Sequence, residues 1–278
     1  MYYLYIFAKT LCFIFPRNIC YAIARVSAII KYHFAKKERE IVLNNLLPII
    51  ENKKKREKCA KKIFINFAYY LVDFFRYSRL DKKFIDKYVI VDGLSNLDKA
   101  FSSKKGVIAN TAHLGNYELA GAVTSLLGYP FHAVALAHKD VRVNNFFDKQ
   151  RKAVGIKIIQ AGIATKKCFS LLKGGGFVAF LGDRDFLGAG VKVKMFSREA
   201  VLPKGPAFFA RKTGAYIVPA FLVREKRNFY RLIFESPIDA AKTKTDEEII
   251  NEYAKILAKY IKLYPEQWYL FQNYWLKG

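Results

Sequence analysis

His113 and Glu118 stand five positions apart in the string HLGNYELAG. An imidazole and a carboxylate can act together as a general base and the acid that orients it. On a continuous helix five positions would set the two side chains about 140° apart, so they can meet only if the chain turns between them. Gly115 supplies the freedom to turn, and Asn116 is a favourable N-cap. Glu118 then falls in the first helical turn, where the helix dipole favours an ionised carboxylate. The preceding run GVIANTA (106–112) is short, branched and opened by glycine, which are strand features. The expected picture is a strand ending at His113, a tight corner, and a helix whose start carries Glu118. The spacing alone also fits a histidine with no chemical task.

A second polar group, Asp183-Arg184-Asp185 in GDRD, follows the apolar run FVAFL. Its alternative reading is exposed loop charge. The close acids raise the question of a divalent cation, but no further ligand set accompanies them, so a metal site is rejected. Arg151, in NNFFDKQRKAVGIKII, has the planar donor fork that grips phosphate. Its neighbours Lys149 and Lys152 leave an ordinary helix-surface arginine equally open. Gly174-Gly175-Gly176 follows a helix and precedes a strand, the reverse of a phosphate loop, and reads as a C-cap and turn. There is no nucleotide-binding glycine pattern and no Gly-x-Ser-x-Gly elbow. His33, His132 and His138 have no comparable neighbours in sequence.

These residues need elements to hold them. Strands are expected over 88–91, 106–111, 131–136, 156–160, 177–181, 216–223 and 229–235. Helices are expected over 94–102, 117–127, 142–153, 164–173, 204–213 and 246–263. The alternation gives an α/β fold with a mostly parallel central sheet flanked by helices. Sites in such sheets gather beyond the carboxyl ends of strands. His113 and GDRD both fall at such ends, so one shared site is expected.

The chain carries 48 Lys and Arg against 23 acids, a net charge of +25, with 53% hydrophobic and 16% aromatic residues. Such an excess suits an anionic partner: nucleic acid, acidic headgroups or an acidic carrier protein. A solvated basic surface is the plain alternative, and a noncatalytic protein that binds nucleic acid or membrane is the competing functional class. The apolar start MYYLYIFAKTLCFIF holds Lys9 and ends at Pro16-Arg17, short of the roughly 20 residues a span needs. Two short helices with basic residues on one side suit an interfacial, monotopic attachment. A buried helix pair and a partial insertion remain alternatives. Residues 36–62 read as exposed charged helix broken near Pro48, and the aromatic run 63–80 as core or as lipid-facing. Cys12, Cys20, Cys59 and Cys168 lack paired spacing and read as reduced packing residues. The expected organisation is a helical, membrane-associating region over 1–84 and a catalytic region over 85–278, within one structural domain.

Several strings together resemble the late acyltransferases of lipid A biosynthesis and the related mycobacterial phosphatidylinositol mannoside acyltransferases. They are HLGNYELAG after GVIANTA, VDGLSNLDKAF (91–101), GDRD (182–185), LPKGPAFFARKTGAYIVPAF (202–221) and YPEQWYLF (264–271). They keep the family's order and approximate spacing from about residue 85 onward, with Tyr117 where the family has Trp. The resemblance implies a glycerolipid-acyltransferase-like fold and membrane association at the cytoplasmic face of the inner membrane. It implies transfer of a fatty acyl chain from acyl carrier protein or coenzyme A to a glycolipid hydroxyl, with no cofactor. A lipid A precursor is the leading acceptor, and no nucleic-acid partner is expected. His113 and Glu118 would be catalytic. Arg151, Asp183, Arg184, Asp185 and Asn116 would contact substrate.

Overall fold

The run before His113 forms β2 (Val107–Thr111), which is buried along most of its length at the middle of the main sheet. In the computed structural model, which describes residues 2–161, 164–186, 188–240 and 245–276, β2 lies between β5 (Phe177–Leu181) and β8 (Tyr216–Lys226), parallel to both. Beyond β5 come β3 (Phe131–Ala135) and β4 (Lys157–Gln160); beyond β8 come β9 (Phe229–Phe234) and β1 (Val89–Asp92). β9 runs antiparallel to β8, and the short β10 (Ile238–Asp239) pairs antiparallel with the start of β8. The other pairings are parallel. Central strands covered on both faces must be apolar throughout, which is why VIANT, FVAFL and YIVPAFLV carry no alternation.

The connecting helices cover the two faces. α6 (Leu94–Ser102), α7 (Tyr117–Leu126) and α8 (Val141–Lys152) pack on one apolar core, and α9 (Ala164–Lys173), α10 (Gly205–Thr213) and α11 (Asp246–Leu263) on the other. The α/β architecture with a mostly parallel sheet agrees with the sequence expectation. The hairpin of β6 (Val191–Met195) and β7 (Arg198–Leu202) was not anticipated. Its turn residues Phe196 and Ser197 hold φ of 50° and 62°. Hairpin turns of that hand ordinarily announce themselves with Asn-Gly or Asp-Gly, and neither residue here gives that signal.

The first helices are α1 (Tyr2–Ile14), α2 (Arg17–Phe34), α3 (Lys36–Leu46), α4 (Lys53–Phe75) and α5 (Lys82–Tyr88). Pro16 separates α1 from α2, as its missing N–H and fixed φ dictate. α4 is continuous across the charged and aromatic runs that sequence reading kept apart. One side of it, Ile63, Tyr70 and Phe74, is buried, while Phe67, Ala68 and Leu71 line an apolar groove against α1 and α2. Tyr21, Phe74 and Phe75 share a core cluster with Val107, Leu119 and Phe177, so these helices and the sheet bury their apolar faces together. All four cysteines are buried and free. Burial pushes the Cys168 thiol up to about 11, as suits a packing residue.

Asp73 is the one acid in the apolar run from Ile63 to Phe75, and it is buried. Its Oδ1 accepts from Arg17 Nη2 at 3.0 Å and from the Tyr21 hydroxyl. Its Oδ2 accepts from Asn116 Nδ2 at 3.0 Å, Arg224 Nη2 at 2.7 Å and the Tyr230 hydroxyl at 2.6 Å. One carboxylate therefore joins α2, α4, β8, β9 and the start of α7. Burial alone would raise its pKa, but Arg224 and Arg17 hold the carboxyl below its ordinary value. Removing one member of a buried charged group strands the others, typically at about 3–5 kcal/mol. Asp73→Ala is expected to lower unfolding free energy in urea by about that amount. Because the folded pKa is depressed, the ionised Asp73 stabilises fully above the ordinary carboxylate range and loses that effect as pH falls through the folded value. The stability gap between wild type and Asp73→Asn should therefore shrink below roughly pH 4.

Candidate active site

Thr111 and Leu181 are register partners at the ends of β2 and β5. His113 and Asp183 each lie two residues beyond that pair, so parallel pairing delivers them side by side. His113 Nδ1 is 2.9 Å from Asp183 Oδ1, and the His113 backbone N–H donates to Asp183 Oδ2 at 2.9 Å. The Asp183 side chain is fully buried and that of His113 is 14% exposed. An ionised carboxylate only accepts, so Nδ1 carries the proton toward Asp183 and Nε2 is the nitrogen with a lone pair to use. The Tyr117 ring stands edge-on to the imidazole, centroids 5.2 Å apart.

The turn after His113 is fixed at every residue. The His113 carbonyl accepts from the Tyr269 N–H at 2.7 Å, and Leu114 bridges to Trp268. Gly115 N–H donates to the Gln267 carbonyl at 2.8 Å, and Asn116 N–H donates to the Leu222 carbonyl at 2.7 Å. Gly115 sits at φ +64°, and a Cβ there would lie 2.0 Å from the Leu222 carbonyl oxygen, so both conformation and space call for glycine. Asn116 caps α7 by accepting from the Leu119 N–H at 3.0 Å.

Glu118 does not fill the place expected of it. Position N2 of α7 turns its carboxylate toward α8, where Arg151 Nη2 donates at 2.6 Å and Nε at 3.1 Å. The carboxylate that faces the imidazole is that of Asp183. Arg151, expected at the substrate, is engaged within the fold: its side chain is 12% exposed and is also paired with Asp148 at 3.4 Å. Burial would lower its pKa, but Glu118 reverses the effect and raises it. Asn116, expected at the substrate, is buried and committed to the α7 cap and to Asp73. Asp185 accepts from the Gly190 N–H at 2.7 Å and shapes its own loop. Arg184 is the member of the group at the rim, bonded to Gln272 and lying over the Phe186 ring at 4.6 Å. His132 Nδ1 lies 2.9 Å and 3.1 Å from the Pro130 and Phe177 carbonyls, a structural setting.

A family model described as bacterial lipid A biosynthesis acyltransferase matches residues 1–277. The chain belongs to this family. A phosphatidylinositol mannoside acyltransferase of Mycobacterium tuberculosis is 26% identical over 67% of this chain and 60% of its own length. Its counterpart in Mycolicibacterium smegmatis is 23% identical over 76% and 70%. The match thus spans less than two thirds of the Mycobacterium tuberculosis relative. The solved 1-acyl-sn-glycerophosphate acyltransferase of Thermotoga maritima gives a TM-score of 0.45 at 14% identity, over 91% of this chain and 99% of that one.

Two residues of this family member that sequence reasoning passed over support the turn. Buried Gln267 accepts from the Arg224 N–H at 2.8 Å and donates to the Arg224 carbonyl at 2.9 Å, while its own carbonyl holds Gly115. Asn45 donates to the Leu270 and Gln272 carbonyls at 3.1 and 2.8 Å, tying α3 to the same C-terminal strap. A glutamine inside the apolar string YPEQWYLF was the available signal for the first. Gln267→Leu leaves both backbone groups of Arg224 unpaired and should cost about 1–3 kcal/mol in chemical denaturation. Gln267→Glu keeps an acceptor for the N–H but no donor for the carbonyl, and its melting temperature should fall between those of wild type and the leucine variant.

Proposed function

We propose that the protein is an acyltransferase that moves a fatty acyl chain from a thioester to a hydroxyl of a glycolipid at a membrane surface. The observation that carries this reading is the imidazole of His113, backed by a buried carboxylate and presented at the carboxyl end of the central strand in a member of this family. His113 Nε2 takes the proton of the acceptor hydroxyl as its oxygen attacks the thioester carbonyl. Asp183 holds the Nδ1 proton and stabilises the imidazolium. The tetrahedral adduct collapses with cleavage of the C–S bond, and the imidazolium returns its proton to the departing thiolate. The products are an ester and a free thiol, and no cofactor enters the balance. Glu118 acts at one remove, with Arg151, by fixing the first turn of α7.

The lipid side of the reaction has its own support. α1 and α2 expose Leu4, Phe7, Ile14, Val26 and Phe34, the last 82% exposed. Large apolar side chains exposed in this number on two neighbouring helices mark an interaction face. Between α1, α2 and α4 lies an apolar groove of about 450 Å³ lined by Phe7, Leu11, Ile23, Phe67, Leu71 and Phe271. Among the described residues no helix is long and apolar enough to cross a membrane. We therefore read α1 and α2 as a monotopic seat on the cytoplasmic leaflet. A lipid A precursor is the first acceptor to try, and a phosphatidylinositol mannoside the second, as the names of the relatives suggest.

With a labelled acyl thioester and each acceptor in vesicles, wild type should yield an acylated lipid. His113→Ala should abolish transfer, and Asp183→Asn should lower turnover by about 10²–10⁴-fold while circular dichroism stays unchanged. Glu118→Gln should lose less activity and show a lower melting temperature. Full activity of His113→Ala would overturn the assignment of the base.

A further inference from the structure

The first ten residues of α4 hold Lys53, Lys54, Lys55, Arg56, Lys58, Lys61 and Lys62 against a single acid, Glu57. Arg56 has a structural task, donating to the Ile50 and Glu51 carbonyls at 2.9 Å. The lysines do not: among the described residues lysine ion pairs occur at Lys31–Glu38, Lys204–Asp246 and Lys259–Glu235, and none involves these six. Five of the six are exposed and Lys61 is half-buried. Cations at a helix start oppose the macrodipole. Lys58 also faces like charge at Lys54, Lys61 and Lys62, three or four residues away, which destabilises the helix further. This charge works against the isolated fold, and an anionic partner would relieve it.

The position of the ridge favours a soluble partner over the lipid surface. At roughly 100° per residue, Lys54, Lys55, Lys58, Lys61 and Lys62 centre about 110° round α4 from the groove residues Phe64, Phe67, Ala68, Leu71, Val72 and Phe75. The ridge therefore points to the side of the apolar face. It also leads to the site. Asn66 donates to the Glu266 carbonyl at 2.9 Å, at the root of the strap that holds His113. Tyr70 donates to the Tyr117 hydroxyl at 3.1 Å, and Tyr117 touches the imidazole. From Lys58 to Tyr70 the helix advances about 18 Å, a distance of the order of an extended phosphopantetheine arm.

We propose that the lysine ridge of α4 docks a small acidic carrier protein that delivers the acyl thioester to His113 on its flexible arm. The inference rests on the acyl-transfer reading for the use made of docking, but the docking itself can be measured without turnover. The full-length protein on anionic vesicles is titrated with purified acyl carrier protein bearing a hexadecanoyl thioester, at low and high salt. Wild type should bind with an affinity that falls steeply with salt. Lys54→Glu/Lys58→Glu/Lys62→Glu should weaken binding at least tenfold and raise the KM for the carrier-bound donor, with kcat and transfer from hexadecanoyl-pantetheine unchanged. The glutamine triple variant, gentler to the helix, should show the same direction to a smaller degree. Unchanged carrier affinity in both variants would overturn the proposal. So would loss of vesicle binding with carrier affinity intact, which would make the ridge a membrane contact. Salt-sensitive carrier binding without transfer from any thioester would sink the acyl-transfer reading and leave the docking surface standing.

Discussion

One buried carboxylate sets the geometry on which the site depends. Asp73 accepts from groups on α2, β8, β9 and the residue that caps α7. Two guanidinium groups around one carboxylate leave a positive excess in a region shielded from water, and the hydroxyls of Tyr21 and Tyr230 complete the coordination. Such an arrangement is a poor source of net stability compared with apolar packing, because desolvating charge is expensive. What it supplies is directionality. An apolar contact tolerates sliding, whereas five donors converging on two oxygens fix how the first helices meet the sheet. The same carboxylate then reaches Asn116, so the orientation of α2 and α4 and the first turn of α7 are set by one group.

From Asn116 the constraint runs to the chemistry through backbone. The turn from His113 to Asn116 is held by side chain and main chain of three separate segments: Asp183 after β5, Leu222 within β8, and the C-terminal strap at Gln267–Tyr269. Gln267 extends the arrangement by bonding both backbone groups of Arg224, the residue whose guanidinium lies on Asp73. The hub and the strap therefore share a residue. A histidine whose backbone has so little freedom presents Nε2 in one direction, which is what proton transfer in a defined geometry requires.

Much of this fold was legible in the sequence, and the reasons differ by element. The central strands were visible because burial on both faces forces continuous apolar runs, and the α7 start was visible because Asn and Gly have specific backbone uses. The corner after His113 and the nearness of GDRD followed from strand ends. The partner of His113 did not follow. Choosing between Glu118 and Asp183 needs strand adjacency and register, Thr111 opposite Leu181, and neither is a local property. The hub was hidden for a related reason. A lone acid in a helical run and an arginine at a strand end become informative only when the two elements are known to touch. The hairpin escaped because its turn uses Phe196 and Ser197, whose cost in backbone strain is met by tertiary packing, including Phe196 against Trp275.

The two carboxylates beside the His113 turn also explain each other. At short range an uncompensated charge acts strongly in a poorly solvated site. Glu118 and Asp148 both lie against Arg151, so two negative charges meet one guanidinium away from the imidazole. Asp183 bonds the backbone N–H and the ring of His113 from a fully buried position. Had Glu118 also turned to the ring, His113 would have faced two acceptors, and the identity of its protonated nitrogen would have depended on their competition. By engaging Glu118, Arg151 leaves one carboxylate to fix the tautomer. The residue five positions from the histidine thus contributes by being held elsewhere, and the pairing that spacing suggested is replaced by one that strand register produces.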